Sequence, residues 1–322
     1  MANQQNASTL LALYRTIKTI RTVENSLTRL FADGEVPGFI HLSIGQEAIA
    51  AGVCAALSPQ DTLATTHRGH GHVLARGLSL DHFFKEVMGK AGGVCAGRGG
   101  SMHVADMQLG ILGSNGIVGA GIPIALGSAI AHQVRETHGV AVAFFGDGAM
   151  AEGVLHETLN MAALWNLPLL LVCENNGWSE FSPTSRQFAA KLEGLAVAFG
   201  IQYAAVDGSD VQAVSDAARE TVERVRQGAG PAILECVTQR VRGHYEGDPQ
   251  KYRAPEELAA LADFDPVARA EATLLAQGTS KTEIERIDRE VETEVAAVIE
   301  AARADVEPSY DTARQDVYTL AA

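Results

Sequence analysis

Residues 140–177 read VAVAFFGDGAMAEGVLHETLNMAALWNLPLLLVCENNG, and this stretch decides the fold. It holds two short apolar runs, residues 140–145 and 168–173, and each run leads directly into a turn of small and polar residues. The segment between them, residues 152–166, has the composition and length of a helix. A strand, a helix and a second strand form a βαβ unit, whose right-handed crossover makes the strands parallel. The sequence therefore predicts an α/β fold with a mostly parallel sheet and helices on both faces.

Polar side chains follow both predicted strands, at the edge where open α/β sheets bind ligands. Asp147 comes after the first strand, between Gly146 and Gly148, and Asn176 comes after the second strand. Carboxylate and amide oxygens suit Mg²⁺, which usually shares its ligand shell with phosphate groups. The N–H groups at the start of the following helix favour an anionic phosphate. The stretch therefore predicts a site for a metal ion and a phosphorylated ligand.

A dinucleotide-binding site is the alternative interpretation of these glycines. An acidic residue between two glycines would repel a bare pyrophosphate, whereas a divalent metal ion between the two removes the conflict. A nicotinamide site also needs a Gly-x-Gly-x-x-Gly fingerprint with an acidic residue about twenty residues later, and the chain has no convincing instance of it. The pattern therefore favours the metal–phosphate site over a nicotinamide dehydrogenase.

The composition of the chain argues against several classes of function. The net charge of −14, without a cluster of lysine and arginine, argues against a nucleic-acid partner. The four cysteines follow neither a redox nor a zinc spacing, which indicates a reducing compartment. The first residues are polar, and no apolar run is long enough to cross a bilayer. We therefore expect a cytoplasmic protein without a membrane partner.

The pattern along the chain indicates a single domain over residues 1–322. Helical periodicity extends over residues 8–33, a core of strands and helices follows from about 35 to 250, and a charged helical tail occupies about 255–306. Residues 89–121 are rich in glycine and have no periodicity. A loop of this length in a compact domain is usually functional or mobile.

Several further motifs in a fixed order give the chain a resemblance to a known family. They are GFIHLSIGQEA at 38–48, GRGGSMH at 97–103, NGIVG at 115–119, NMAALW at 160–165 and ENNG at 174–177. With the spacing of Gly146-Asp147-Gly148 and Asn175-Asn176, they resemble the α subunit of the E1 component of 2-oxo acid and acetoin dehydrogenase complexes. The resemblance extends from about Leu11 to Arg253 and implies the thiamine diphosphate-binding fold.

The same resemblance implies that the cofactors are thiamine diphosphate and Mg²⁺. Asp147 and Asn176 match the family's metal ligands, and Trp178 stands where a main-chain carbonyl provides another ligand. The usual residue at that position is tyrosine. Because the contact is made by the main chain, we expect the change to tryptophan to be tolerated.

The diphosphate end of the cofactor needs cations and free N–H groups. By the resemblance, Arg68 and His244 match the family's diphosphate contacts, as do the N–H groups of Gly148 and Ala149. His67 stands where many relatives carry tyrosine, and its imidazole is still able to donate a hydrogen bond.

The ring end of the cofactor has its own set of matching positions. Gly116 and Val118 match residues that hold the aminopyrimidine: the carbonyl of Gly116 would accept from the 4′-amino group, and Val118 would bend the cofactor toward its reactive carbon. His41 matches a position near the substrate, and we expect His41 and His244 to be the catalytic side chains. The carbanion chemistry belongs to the cofactor, and the protein provides geometry and an electrostatic field.

One functional group of thiamine enzymes has no counterpart in this chain. These enzymes need a carboxylate at N1′ of the aminopyrimidine, and in this family a glutamate of a separate β subunit provides it. The resemblance therefore implies an α₂β₂ heterotetramer that is inactive without β. It also implies a lipoyl-bearing E2 partner that receives the acyl group.

The substrate is the least determined part of the prediction. The segments THRGHGH at 66–72 and RGHYEGD at 242–248 are most similar to the acetoin-cleaving branch. We therefore expect a thiamine-dependent oxidoreductase that cleaves acetoin, with pyruvate and branched-chain 2-oxo acids as alternatives. A non-catalytic subunit that binds the cofactor only to stabilise an assembly is an alternative of another class. The intact set of ligand positions argues against it.

Overall fold

The computed structural model describes residues 2–315, with side chains described from Thr9 onward. The helices are α1 (Ala2–Ala32), α2 (Glu47–Cys54), α3 (His70–Ala75), α4 (Leu80–Val87), α5 (Gly121–Val134), α6 (Gly153–Leu164), α7 (Leu192–Phe199), α8 (Val211–Arg226), α9 (Pro255–Ala260), α10 (Pro266–Ala276), α11 (Lys281–Ala304) and α12 (Tyr310–Gln315). The strands are β1 (Thr62–Ala64), β2 (Ile111–Gly113), β3 (Ala141–Gly146), β4 (Leu169–Asn175), β5 (Trp178–Ser179), β6 (Ser182–Pro183), β7 (Gln202–Asp207) and β8 (Ala232–Val237).

Six strands form one parallel sheet in the order β2-β1-β3-β4-β8-β7. The two central strands, β3 and β4, pair over their whole length, from Ala141 opposite Leu169 to Gly146 opposite Glu174. Because all six strands run in the same direction, the loops that follow them lie along one edge. The predicted βαβ unit and the α/β fold are confirmed.

Helices cover both faces of the sheet because its central strands are apolar on both sides. In β3, Val142 and Phe144 belong to the core under α1, α2 and α8, whereas Ala143 and Phe145 belong to the core under α5, α6 and α7. This alternation follows from the two-residue period of a strand. The two cores fix the sheet between two layers of helices, as the sequence predicts.

The N-terminal helix and the C-terminal tail pack against each other. Helix α1 starts earlier than the predicted residue 8, and the tail is divided into α9, α10 and α11. The breaks occur at Asp265 and Ser280, whose side chains accept hydrogen bonds from N–H groups in the first turns of α10 and α11. The Tyr14 hydroxyl on α1 donates to Asp288 on α11 over 2.9 Å. The predicted helical tail is therefore present and contacts the first helix.

The glycine-rich segment is a loop as predicted, except for a 3₁₀ turn at Gly100–Met102 and strand β2. It encloses the buried carboxylate of Glu86, which lies in α4. That carboxylate accepts hydrogen bonds of 2.7–3.1 Å from four main-chain N–H groups, those of Cys95, Gly97, Gly99 and Gly100. Gly97 has φ +70°, and a Cβ there would lie 2.5 Å from a main-chain oxygen, so the position requires glycine. One carboxylate therefore organises this part of the loop.

The cysteines are free thiols, in agreement with the absence of a redox or zinc spacing. Cys54, Cys173 and Cys236 are buried free thiols, and Cys95 is a partly buried one. Among the helices of residues 2–315, none has both the length and the apolar character that a bilayer span requires.

Candidate active site

A cavity of about 250 Å³ opens at the edge of the sheet where the parallel strands end. Its walls come from the segments that follow β1, β2, β3, β4 and β8, and from the segment that precedes α2. Every site residue predicted from the sequence lines this cavity. They are His41, His67, Arg68, Gly116, Val118, Asp147, Gly148, Ala149, Asn176, Trp178 and His244.

Asp147 and Asn176 lie side by side at the ends of the two central strands. One oxygen of Asp147 accepts the N–H of Asn176 over 3.3 Å, and the other accepts the hydroxyl of Thr184. The Asn176 amide donates to Gln46 over 2.9 Å, and its oxygen accepts the N–H of Trp178 over 3.1 Å. Burial raises the pKa of Asp147 to about 6. A carboxylate in so poorly solvated a place gains most from a bound cation.

Trp178 presents its main chain, rather than its indole, to Asn176. The indole N–H donates to Glu257 over 2.8 Å, and the ring lies 5.7 Å from the Arg253 guanidinium carbon. The side chain thus anchors α9 to the cavity wall. This arrangement is compatible with the predicted main-chain role of residue 178.

The turn after β3 is built for a close approach of backbone and ligand. Residues Asp147–Ala151 form a 3₁₀ turn, and the first N–H groups of such a turn have no partner within it. A Cβ on Gly148 would lie 2.5 Å from the Ser179 hydroxyl oxygen. Glycine is therefore required where β5 crosses the turn, and the open N–H groups suit an anion.

Two buried guanidinium groups give the opposite wall a positive charge. Arg68 donates to the carbonyl of Leu42 over 2.8 Å and to the carbonyl of His244 over 3.0 Å. Arg240 donates to the Tyr252 hydroxyl over 2.8 Å, and its Nε has no hydrogen-bond partner among the described residues. Burial lowers the pKa of Arg68 to about 9, so that it stays protonated at neutral pH.

Three histidines that line the cavity lie close to one another. The ring centroids of His41, His67 and His244 are 4.7–5.6 Å apart. Burial, reinforced by the charge of Arg68, lowers the pKa of His41 to about 3 and of His244 to about 4, and holds that of His67 well below its usual value. Nδ1 of His41 and Nε2 of His67 are buried without a partner in the described part of the chain. The rings are neutral and retain unused hydrogen-bonding capacity.

We expect this cluster to make the cofactor-free protein lose stability as the pH falls from about 6.5 to about 4. The folded-state pKa values of His41, His67 and His244 lie below the ordinary value, so the unfolded chain binds more protons in this range. Denaturant unfolding across the range measures the slope. A His244→Gln variant should flatten it, whereas His82→Gln, an exposed histidine, should not. Equal slopes in both variants would contradict this assignment.

Gly116 and Val118 lie at the mouth of the cavity. Val118 is 50% exposed and Ile117 is 72% exposed, although both are apolar. A Cβ on Gly116 would meet only the Met102 sulfur, at 3.8 Å. The Asn115 side chain accepts the N–H of Ile117 over 2.8 Å and shapes this turn. The mouth therefore combines free space with an uncovered apolar rim.

The cavity is also lined by polar residues that were not predicted as ligands, among them Gln46, Glu174 and Arg240. Arg240 lies three residues after the end of β8, so its position in the sequence already indicated that it lies at the same edge of the sheet as the cavity. Glu174 is buried, and one of its oxygens lies 3.2 Å from Nε2 of His72. His72 is buried, and its ring stacks against Phe144.

A family model described as the dehydrogenase E1 component matches residues 15–311. This chain belongs to the dehydrogenase E1 component family. The match includes the helical tail, beyond the limit of the motifs at Arg253. Use of thiamine diphosphate follows from membership of the E1 family.

Two of the proteins similar to this chain are named as subunits of acetoin enzymes. The chain is 41% identical to the α subunit of acetoin:2,6-dichlorophenolindophenol oxidoreductase of Bacillus subtilis (strain 168), over 96% of this chain and 93% of that one. It is 42% identical to the subunit of the same name from Cupriavidus necator, over 96% and 94%. The pyruvate dehydrogenase E1 component subunit alpha of Rhizobium meliloti (strain 1021) is 40% identical, over 95% and 89%. The chain is therefore an E1 α subunit, an oxidoreductase component that has a β partner and an E2 complex.

The residues of the cavity fit the cofactor of this family. Buried nitrogen atoms of His41, Gln46, His67 and Arg240 line the cavity and have no partner among the described residues. Such groups normally find a partner, and an anion with many acceptor oxygens provides it.

Proposed function

We propose that this chain binds thiamine diphosphate and Mg²⁺ in the cavity and, with a β subunit, cleaves acetoin and passes the acyl group to a lipoyl arm of E2. The observation that carries the proposal is the meeting of Asp147 and Asn176 with a cluster of buried cations and unpartnered nitrogen atoms. Acetoin is favoured because two relatives at 41% and 42% identity are acetoin enzymes. We place this reaction in the cytoplasm and assign residues 1–322 to one domain.

In this proposal the metal ion is held by the side chains of Asp147 and Asn176 and by the main-chain carbonyl of Trp178. The ion removes the cost of burying the Asp147 carboxylate. Thr184 and Gln46 hold the two side chains in place. The bound cofactor provides a carbon nucleophile that the protein's side chains lack.

The diphosphate lies against the cations in this proposal. Arg68, His67 and His244 donate to it, and the N–H groups of Gly148 and Ala149 complete the contact. We add Arg240 to this set, because its unpartnered Nε lines the same cavity. Gly116 and Val118 hold the aminopyrimidine at the mouth.

His41 and His244 act on protons of the substrate. Their pKa values of about 3 and about 4 leave both rings neutral, so each offers the substrate one nitrogen that accepts a hydrogen bond and one N–H that donates one. The backbone of His244 is fixed by Asp248, which accepts its N–H over 2.7 Å. Nδ1 of His41 has no partner among the described residues and is available for a substrate oxygen.

The β subunit covers the mouth of the cavity in an α₂β₂ assembly. The exposed side chains of Phe39, Ile117 and Val118 support this arrangement, because an apolar rim around a cofactor site favours burial against a partner. The partner adds the glutamate that activates the aminopyrimidine. A dry interface also keeps water from the reacting carbon.

The test is dye-linked oxidation by the chain co-expressed with its β subunit. Acetoin, pyruvate and 2-oxoisovalerate are compared, with 2,6-dichlorophenolindophenol as acceptor, with and without thiamine diphosphate and Mg²⁺. We expect cofactor-dependent turnover that is fastest with acetoin. Preference for pyruvate would overturn the substrate and keep the class. Tight cofactor binding without turnover of any of the three would favour the non-catalytic alternative.

A further inference from the structure

A buried carboxylate on α1 lies at the centre of a hydrogen-bond network beside the cavity. One oxygen of Glu24 accepts both the N–H of Ser43, over 2.9 Å, and its hydroxyl, over 2.6 Å. The other oxygen lies 3.1 Å from Nδ1 of His70, whose Nε2 lies 2.7 Å from the Ser101 hydroxyl. All four residues are at most 5% exposed. The network therefore operates without competition from solvent.

The other three residues of this network, two bonded to Glu24 and one bonded to His70, belong to three separate segments that form the cavity wall. Ser43 lies before α2, His70 begins α3, and Ser101 lies in the glycine-rich loop. Each of them is within two residues of a side chain that lines the cavity, namely His41, Arg68 and Met102. Glu24 itself does not line the cavity. A single carboxylate thus joins three wall segments from behind.

We propose that Glu24 is a positioning residue of the cofactor site. Through Ser43 and His70 it fixes the segments that present His41 and Arg68 to the diphosphate, and through His70 and Ser101 it fixes the loop beside them. This role rests on the proposed binding of thiamine diphosphate in the cavity. Pre-organised donors bind an anion more tightly than donors that must first be ordered.

The charge of Glu24 supports the same role. Burial alone would raise the pKa of Glu24, but His70 and Ser43 hold it below the usual value, so the carboxylate is ionised. Burial and Arg240 lower the pKa of Arg68, whereas Glu174 and Glu24 oppose the shift. Glu24 therefore helps to keep the Arg68 guanidinium charged where the diphosphate binds.

A buried carboxylate elsewhere in the fold provides a matched control. Asp61 is as inaccessible as Glu24, accepts the N–H groups of Ser58 and Val140, and pairs with Arg226 over 2.7 Å. It lies beside the first residues of β1 and β3, at the opposite edge of the sheet from the cavity. Loss of its charge should therefore cost stability without altering the cofactor site.

The experiment compares Glu24→Gln with Asp61→Asn in the α–β complex. Calorimetry gives the Kd of thiamine diphosphate with Mg²⁺, steady-state kinetics at saturating cofactor gives kcat, and thermal unfolding gives Tm. We expect both variants to lower Tm. Only Glu24→Gln should raise the Kd, by roughly 10-fold or more, as for other supports of ligating groups. Ser101→Ala should raise it less, because it breaks only the last link.

The outcomes separate this role from the proposed function. A wild-type complex that binds no thiamine diphosphate would overturn the proposed function and the role with it. Normal wild-type binding, with a Kd in Glu24→Gln that stays within the range of Asp61→Asn, would overturn the role alone. If Glu24→Gln does not fold, Ser43→Ala and Ser101→Ala decide: an unchanged Kd in both would overturn the role.

Discussion

An Asp147→Ala enzyme should bind thiamine diphosphate with Mg²⁺ at least about 100-fold more weakly than the wild type and should lose turnover. Substitutions of groups that support a metal ligand typically weaken metal binding by about 10- to 100-fold. We expect the upper end of this range because Asp147 is itself a proposed ligand. Asp147 is 1% exposed, directly follows β3 and begins a 3₁₀ turn whose first N–H groups are open. Among residues 9–315, no other carboxylate that lines the cavity has this position. In the proposed function Asp147 is a ligand of the metal ion, so its loss should weaken binding of both the ion and the cofactor.

Calorimetry of cofactor binding to the α–β complex measures this loss, with Asp207→Ala as the control. Asp207 ends β7 at the same edge of the sheet, but it is exposed and pairs with Arg269 over 2.9 Å. Its removal should leave the Kd unchanged. Retained turnover in Asp147→Ala would show that the metal ion is bound elsewhere.

An Arg68→Ala enzyme should show a Kd for thiamine diphosphate that is raised by roughly 100-fold. Hydrogen bonds to charged groups contribute about 1.5–3 kcal/mol each, and about 3 kcal/mol corresponds to this factor. The substitution also leaves the carbonyl groups of Leu42 and His244 without their donor. His244 is therefore expected to move as well, which adds to the loss.

The control for this variant is Arg76→Ala, because Arg76 also donates to main-chain carbonyl groups. It bonds to Leu109 over 2.8 Å and to Ser58 over 3.0 Å, away from the cavity. Arg76→Ala should lower Tm and leave the Kd within about 2-fold of the wild type, because distant sites without shared partners act independently of each other. A similar rise of the Kd in both variants would attribute the effect of Arg68 to general loss of structure.

The sequence predicted the elements of the fold best where they depend on a local pattern of residues. The strand–helix–strand pattern of residues 140–177 corresponds to β3, α6 and β4, because two short apolar runs on either side of a helical segment are visible in the sequence alone. The ligand positions came from motifs whose spacing reflects the carboxyl ends of parallel strands. Strand β2 was not predicted, since a strand of three residues that follows Gly110 and ends in Gly113 shows no periodicity.

The network behind the cavity could not be predicted from local patterns. Glu24 and His70 are 46 residues apart in the chain, and His70 and Ser101 are 31 apart. Nothing in the spacing of such residues shows that they meet, because the contact depends on how α1 packs over the sheet. In the sequence, Glu24 looks like one more polar residue of an amphipathic helix.

The ring of N–H groups around Glu86 affects the entropic cost of binding a ligand in the cavity. A segment with the glycine content of residues 89–121 has many backbone conformations when it is free, and ordering them is a large entropic cost. Four bonds to one carboxylate offset part of that cost during folding of the chain itself, because they order residues 95–100. An incoming ligand therefore has less of the loop to order, and less of its contact free energy is lost.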